Sequence, residues 1–310
     1  MRAAVLIPCY NEEKTIGKVI SDFQQELPEA VIYIGDNACT DDTVQVARAA
    51  GAEIIEERRQ GKGHMVHTML RDVNADIYLI VDGDDTYRAT DAAKLLDPVR
   101  DGSCDMCIGN RLSGYQPGSF GGFHLLGNRL IRLITNRLHQ VDIPDMLTGY
   151  RAFNRRAVNE LNLIMGGFEI ETEINIKCVR SGLRLQSVDI EYGLRPEGST
   201  SKIRTVQDGY RILLTIFMLL REHQPMTLGG MIFLGFNLLA VIAVISGIID
   251  QNIWIFGLGI LISLTGSIAL ICGIILHAIN ISHREIEEQQ NNSLDSLLRT
   301  GPTVQEKEQV

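Results

Sequence analysis

Residues 76–87 read Asp76-Ile77-Tyr78-Leu79-Ile80-Val81-Asp82-Gly83-Asp84-Asp85-Thr86-Tyr87. Residues 77–81 are an unbroken run of β-formers, the pattern of a strand buried on both faces, and the run stops at three carboxylates set around one glycine. In open α/β sheets the ligand crevice lies beyond the carboxyl ends of the strands, so Asp82, Asp84 and Asp85 are expected to project into it. Acids that close repel one another unless a cation neutralises them, and hard oxygen donors suit Mg2+ or Mn2+. The expected occupant is a divalent cation carrying phosphates. Asp-Gly-Asp-Asp is also a good turn in water, so the motif alone leaves both readings open.

The chain upstream supplies context. A strand over residues 3–7 runs into Pro8-Cys9-Tyr10-Asn11-Glu12 and a helix from about residue 13 to 25. A second strand, 31–35, leads to Asp36-Asn37-Ala38-Cys39-Thr40-Asp41 and another helix, and a third, 53–56, leads to Gly61-Lys62-Gly63 and a further helix. Such alternation predicts an α/β fold with a mostly parallel sheet and flanking helices, all polar loops facing one rim. Neither G-x-G-x-x-G nor the Walker pattern is present, so phosphate is expected to be held by metal and by Lys62. A metal-bound nucleotide sugar suits these loops, with Asp36 accepting from a nucleobase N–H and Tyr10 stacking on the base. Helix capping is the competing reading for Asp36, and equally for Asp41.

Downstream the composition changes. Residues 226–249 and 253–279 carry no charge, and at about 1.5 Å per residue each is long enough to cross about 30 Å of hydrocarbon. The three-residue link Asp250-Gln251-Asn252 predicts an antiparallel transmembrane hairpin. Arg211 and Arg221 before it, with His283 and Arg284 after it, predict that both chain ends and the large domain are cytoplasmic. No signal peptide is read before the first strand. The expected organisation is a catalytic domain over 1–208, an amphipathic juxtamembrane helix over 209–225, the hairpin over 226–282 and a polar, disordered tail over 283–310. Residues 125–138 also have amphipathic helical spacing, suited to a bilayer surface or to an ordinary core. Ser263 with Ser267 and Ala269 with Gly273 have small-xxx-small spacing, which fits packing within the hairpin or a homo-oligomer. A net charge of −9 argues against nucleic acid as a partner, and the six scattered cysteines read as buried thiols.

Pro8 to Glu12, Asp36 to Asp41, Lys62-Gly63, Asp82-Gly83-Asp84, Gly109-Asn110-Arg111, Asp145 to Arg151 and Pro196 to Lys202 occur in the order found in inverting family 2 glycosyltransferases of the GT-A fold. With the membrane hairpin, the chain resembles the dolichol-phosphate mannosyltransferase branch, and the two-span tail resembles its bacterial members. The resemblance implies that Pro8, Tyr10, Asn11, Glu12, Asp36, Lys62, Asp82 and Gly83 surround a nucleotide sugar, with UDP favoured. It implies that Asp82 and Asp84 bind Mg2+ or Mn2+, and that Arg111, Arg195, Ser201 and Lys202 serve the diphosphate or the acceptor phosphate. Residues 113–123 lack the arginine that relatives use to grip a lipid phosphate, which leaves His124, Arg129 and Arg132 as the nearest candidates.

A polyprenyl phosphate, undecaprenyl or dolichyl, is largely ionised near pH 7 because phosphate monoesters have a second pKa of about 6. It needs no general base, only cations that bring two anions together. Asp145 lies where hydroxyl-activating relatives place their base; with a phosphate nucleophile the alternative is that it orients Arg151 or an acceptor-side arginine. Glu169, Glu171 and Glu173 read either as an exposed face or as sugar ligands, with Glu171 the one to test. The function expected is sugar transfer from a nucleotide sugar to a polyprenyl phosphate. A metal-dependent nucleotidyl- or phosphotransferase and a non-catalytic sugar-nucleotide-binding adaptor are the alternatives.

Overall fold

The computed structural model describes residues 1–115, 129, 132, 133, 136, 143–194, 214, 217, 218, 220, 221 and 224–300, with backbone alone for 284 and 287–300. Two compact units, Met1–Thr215 and Ile216–Val310, make up the chain.

The first unit is a mixed, mostly parallel sheet in the order β3-β2-β1-β4-β6-β5-β7. β1 (Ala3–Cys9), β2 (Val31–Asp36), β3 (Glu53–Glu56) and β4 (Ile77–Ile80) run parallel, and β6 (Arg151–Asn154) is antiparallel to both β4 and β5 (Met106–Tyr115). β7 (Leu185–Tyr192) returns parallel to β5. Every residue of β4 is buried, as its unbroken apolar run requires. α1 (Ile16–Glu26) buries Ile16, Val19, Ile20 and Phe23, one stripe at helical spacing, and each such side chain taken from water contributes about 1.5–3 kcal/mol. It begins three residues later than the sequence suggests, because Asn11 turns through a left-handed φ of 56° and the Glu12 carbonyl accepts from Thr15 and Ile16. α2 (Thr43–Ala49), α3 (Lys62–Asp72), α4 (Ala92–Arg100), α5 (Arg155–Glu160) and α6 (Ile170–Arg180) also belong to this unit.

Strand order reverses between β1 and β4. In sheets of this kind a crevice opens at the carboxyl ends beside that reversal, which is where the loops after Cys9 and Ile80 lie.

The second unit contains α7 (Pro225–Ile249) and α8 (Ile253–Thr300), antiparallel and joined through Gln251 at φ 49°. Asn252 Oδ1 accepts from Trp254 N at 3.0 Å and so starts α8. The helices meet through small residues. A Cβ on Gly229 would lie 2.8 Å from the Ala269 carbonyl and 3.2 Å from Gly273 Cα, and Ser263 Oγ donates to Asn237 Oδ1 at 2.8 Å. Ser263, Ala269 and Gly273 are thus used inside the hairpin. Only 11% and 17% of the most apolar windows of the two helices are buried, which is unlike the core helix of a globular domain. Both are long and apolar enough to cross a bilayer. α8 continues to Thr300, into the segment over 283–310 that the sequence reads as a polar, disordered tail: no glycine or proline interrupts it between Gly273 and Gly301. Residues 301–310 of the expected tail lie outside the described residues.

All six cysteines are free thiols. Cys9, Cys104, Cys107 and Cys178 are buried as the sequence suggests, whereas Cys39 is half-buried and Cys272, on the apolar helix α8, is exposed.

Candidate active site

The carboxyl ends of β1 and β4, the loop before α3 and the loop before α6 enclose a pocket of about 440 Å³. Pro8, Tyr10, Glu12, Lys62, Asp82 and Asp84, all expected at a nucleotide-sugar site, line it together. Gly83 lies behind them, where an added Cβ would stand 2.9 Å from Cys9 Sγ.

Lys62 is the first residue of α3, and its ammonium sits between two carboxylates. Its Nζ donates to Asp82 Oδ1 and to Glu171 Oε1, each at 2.6 Å. Burial by itself would weaken the proton's hold, but the charges of Asp82 and Glu171 overcome it and keep the ammonium well above the usual lysine range. Gly149 presses on the other side of Asp82, since a Cβ there would lie 2.5 Å from Asp82 Oδ2. Asp84 is buried, and its Oδ1 accepts from Thr86 Oγ1 at 2.5 Å and Thr86 N at 3.3 Å. Asp85 differs from expectation. At a left-handed φ of 61° it turns aside to Lys18 at 2.8 Å, leaving two carboxylates of the motif rather than three in the pocket.

Mg2+ takes one or two protein carboxylates and completes its shell with water and substrate phosphates. Among the described residues no group of three or more His, Cys, Asp or Glu side chains gathers as a metal cage. Asp82 and Asp84 therefore fit a cation that arrives with a diphosphate better than one held by protein alone.

Asn37 shapes the far wall. Its Nδ2 donates to the carbonyls of Glu57 and Arg59, at 3.1 and 2.8 Å, and its Oδ1 accepts from Gly61 N at 2.7 Å. Arg59 and Thr68 bind the Glu57 carboxylate and hold it below the usual carboxylate range. Gly61 and Gly63 then meet the loop before α6, where Gly63 N donates to Gly167 O at 3.1 Å and His64 N to Gly166 O at 3.2 Å. Contact this close needs glycine, because a Cβ on Gly63 would lie 2.1 Å from the Met165 carbonyl oxygen.

Asp36 ends β2 and its Oδ1 accepts from Cys39 N at 2.8 Å, a bond inside the loop rather than a helix cap, since the N-cap of α2 is Asp42; the pocket lining does not include Asp36. Asn11 also points away, bonding Thr40 at 3.1 Å. Asp41 takes Thr43 N at 3.1 Å and Glu13 N at 3.2 Å, so it fastens the first two loops together.

Arg111 and Asp145 form a second centre. The guanidinium donates Nε to Oδ2 at 2.7 Å and Nη2 to Oδ1 at 2.9 Å, both side chains are buried, and Arg111 also lies 5.3 Å from the centre of the Tyr192 ring. Arg111 N and Leu147 N, each at 3.2 Å, donate to the same carboxylate. Burial opposes the charge on Arg111, and Asp145 more than offsets it. Arg151 is enclosed, donating to the carbonyls of Thr148 and Glu171 and to Asn175 Oδ1.

The three acids before and in α6 separate into distinct roles. Glu173 accepts from Ile164 N and Met165 N, both at 2.9 Å, and Glu169 from Gly167 N at 3.2 Å, which folds the loop before α6. Glu171 alone reaches Lys62. Glu169, read as an exposed face or a sugar ligand, lines the pocket too. Asn37, Gln60, Gly61 and Phe168 also line it, and sequence reasoning gave them no place there. The Gly166-Gly167-Phe168 sequence was their available signal, a double glycine before an aromatic.

Arg129 and Arg132 are helical. His124, Arg195, Ser201 and Lys202 lie outside the described residues.

Residues 4–161 match the profile described as Glycosyl transferase family 2. The chain is 37% identical over 223 residues to Glycosyltransferase AglJ of Haloferax volcanii, which covers 72% of this chain and 73% of that protein. It is 26% identical over 189 residues to the same organism's Dolichyl-phosphate hexose transferase, covering 61% of this chain and 82% of that one. Glucosyl-3-phosphoglycerate synthase from Mycobacterium tuberculosis, solved in complex with Mn2+, uridine-diphosphate and glucosyl-3-phosphoglycerate, shares the fold. Its TM-score is 0.58 at 22% identity, over 71% of this chain and 79% of that chain.

Proposed function

The chain belongs to glycosyl transferase family 2, and on that premise we propose that it carries one sugar from a nucleotide sugar, UDP-linked, to a polyprenyl phosphate at the cytoplasmic face of a membrane. The observation that carries the acceptor class is the state of Asp145. Four donors bind its two oxygens, one pair of them from a buried guanidinium, so it is poorly placed to accept a proton from an attacking hydroxyl. A phosphate monoester needs no such base. The name of the dolichyl-phosphate relative and the two helices fit to cross a bilayer support the same reading.

In this mechanism Pro8 and Tyr10 receive the base, with Asp36 beside them, and Lys62 stands at the sugar diphosphate. Asp82 and Asp84 would hold Mg2+ or Mn2+. That ion, when bound, stabilises charge on the departing nucleoside diphosphate and so replaces a general acid. Arg111 is assigned to the acceptor phosphate, its guanidinium oriented by Asp145, with His124, Arg129, Arg132, Arg195, Ser201 and Lys202 as further cations and donors for the two phosphates. One lipid-phosphate oxygen attacks the anomeric carbon in line, the bond from that carbon to the diphosphate oxygen breaks, and configuration inverts. The catalytic domain over 1–208 and both termini are cytoplasmic in this reading, with the hairpin over 226–282 in the bilayer.

Membranes containing the protein, incubated with a panel of labelled nucleotide sugars and Mn2+ and then extracted for lipid, test it. Label in an acid-labile lipid fraction with equimolar free nucleoside diphosphate is expected. Release of pyrophosphate or a labelled nucleotidyl product would instead mark a nucleotidyltransferase, and binding without turnover of any member of the panel an adaptor.

A further inference from the structure

Lys62 joins two carboxylates from distant parts of the chain, Asp82 just after β4 and Glu171 in the first turn of α6. Two contacts of 2.6 Å place those carboxylate oxygens at most 5.2 Å apart, twice 2.6 Å, a range in which like charges destabilise each other unless a cation lies between them. The lysine is that cation, and it occupies an oxygen of one of the two acids assigned to the metal. Two positive charges cannot share Asp82 without cost. An arriving divalent ion must displace the ammonium or draw it aside.

Glu171 is placed for the second outcome. Its side chain is about as enclosed as that of Lys62, 11% exposed in each case, and its backbone carbonyl accepts from Arg151 Nη1 at 3.1 Å, which fixes the start of α6 on the sheet. Lys62 is fixed from its own side, because Asn37 holds Gly61 and the carbonyls of Gly166 and Gly167 bind the first turn of α3. The backbones that carry the two side chains are thus held at a fixed separation. The neighbouring acids Glu169 and Glu173 are engaged with loop N–H groups, so neither duplicates this contact.

We infer that Glu171 is a positioning residue for the cation site: it retains the Lys62 ammonium when Asp82 turns to a divalent cation, so the lysine stays in the pocket to meet the diphosphate. This rests on the metal-dependent reading given above. If Glu171 acts through Lys62, its removal leaves the ammonium wholly on Asp82, in competition with the metal, and that penalty vanishes when Lys62 is absent. If Glu171 were only one more negative charge near the pocket, its removal would weaken the cation equally in both backgrounds.

The test is a double-mutant cycle on the purified full-length protein, with Mn2+ titrated at a fixed saturating concentration of UDP, the free ion read by electron paramagnetic resonance and the binding of Mn2+ to UDP alone subtracted. Glu171→Gln is expected to raise the Mn2+ Kd roughly tenfold in the wild-type background and no more than about threefold in the Lys62→Met background, a coupling that independent sites do not show. Glu171→Asp keeps the charge but shortens the reach; it is expected to raise Kd beside Lys62 and to leave it unchanged in Lys62→Met. Equal fold-changes in the two backgrounds, or wild-type affinity in both Glu171 variants, would overturn the inference while leaving the metal reading intact. Failure of the wild-type protein to bind Mn2+ saturably would overturn both.

Discussion

Asp145 meets Arg111 in a two-pronged ion pair, at 2.7 and 2.9 Å, with the aspartate wholly out of water. Breaking such a pair from one side strands a buried charge, which costs about 3–5 kcal/mol. Asp145→Asn is therefore expected to lower the unfolding free energy of the protein by that order and to raise KM for the lipid phosphate as Arg111 loses its orientation. A residue serving only as a base would lose kcat with its melting temperature unchanged. Thermal melting alongside steady-state kinetics separates the two. Arg111→Lys should fail to rescue, because an ammonium cannot reproduce the fork.

Asp84→Asn should lower kcat by about 10²–10³, the several kcal/mol of charge stabilisation that a metal supplies to a leaving diphosphate. The wild-type enzyme stripped with EDTA should lose activity to a similar extent and regain it with Mn2+ or Mg2+. Undiminished activity of Asp84→Asn, or of the wild-type enzyme in EDTA, would remove the metal from the mechanism.

Much of the parallel half of the sheet could be read from the sequence, because β1, β2 and β4 are apolar runs that end in polar loops and the signal is local. The pairing of Asp82 with Lys62 joins residues 20 positions apart through folding, and that of Glu171 with Lys62 spans 109. No period in the chain encodes either contact. Asp85 shows the limit from the other side: Asp-Gly-Asp-Asp places three acids at one turn, but a left-handed φ at its last residue rotates that carboxylate towards Lys18. Similarly, the antiparallel β6 breaks the alternation that predicts a parallel sheet, and Asn37, an unremarkable turn residue in sequence, becomes the support of the Gly61 loop through three hydrogen bonds.

Gly149→Ala tests how tightly the pocket is built. Its Cβ would stand 2.5 Å from Asp82 Oδ2, and relief requires the carboxylate to turn away from its place beside Lys62. Donor KM is expected to rise roughly tenfold with a stability loss of about 1–3 kcal/mol, the usual cost of overpacking. Gly63→Ala meets the backbone carbonyl of Met165 rather than a side chain, so the larger loss of melting temperature is expected there. The reverse ranking would show that the loop before α6 yields more easily than Asp82.

Acid should destabilise the first unit through two carboxylates remote from the chemistry. Arg59 and then Thr68 hold the Glu57 carboxyl below its ordinary range, and Arg184 does the same for Asp105, through bonds at 3.1 and 3.2 Å. A folded pKa lower than the unfolded one means that the unfolded chain binds the proton first, so stability rises with pH across that interval. The contribution is fully present above the ordinary carboxylate value of about 4 and is lost as pH falls below it towards the depressed values. Melting temperature recorded from pH 7 downward should hold until about pH 5 and then fall, as carboxylates of this kind begin to take up protons. In Glu57→Gln and Asp105→Asn the starting value should be lower and the acid slope shallower, since the group whose protonation drives the loss is already gone. An acid slope unchanged in the double variant would place the acid sensitivity in other carboxylates and deny these two pairs their role.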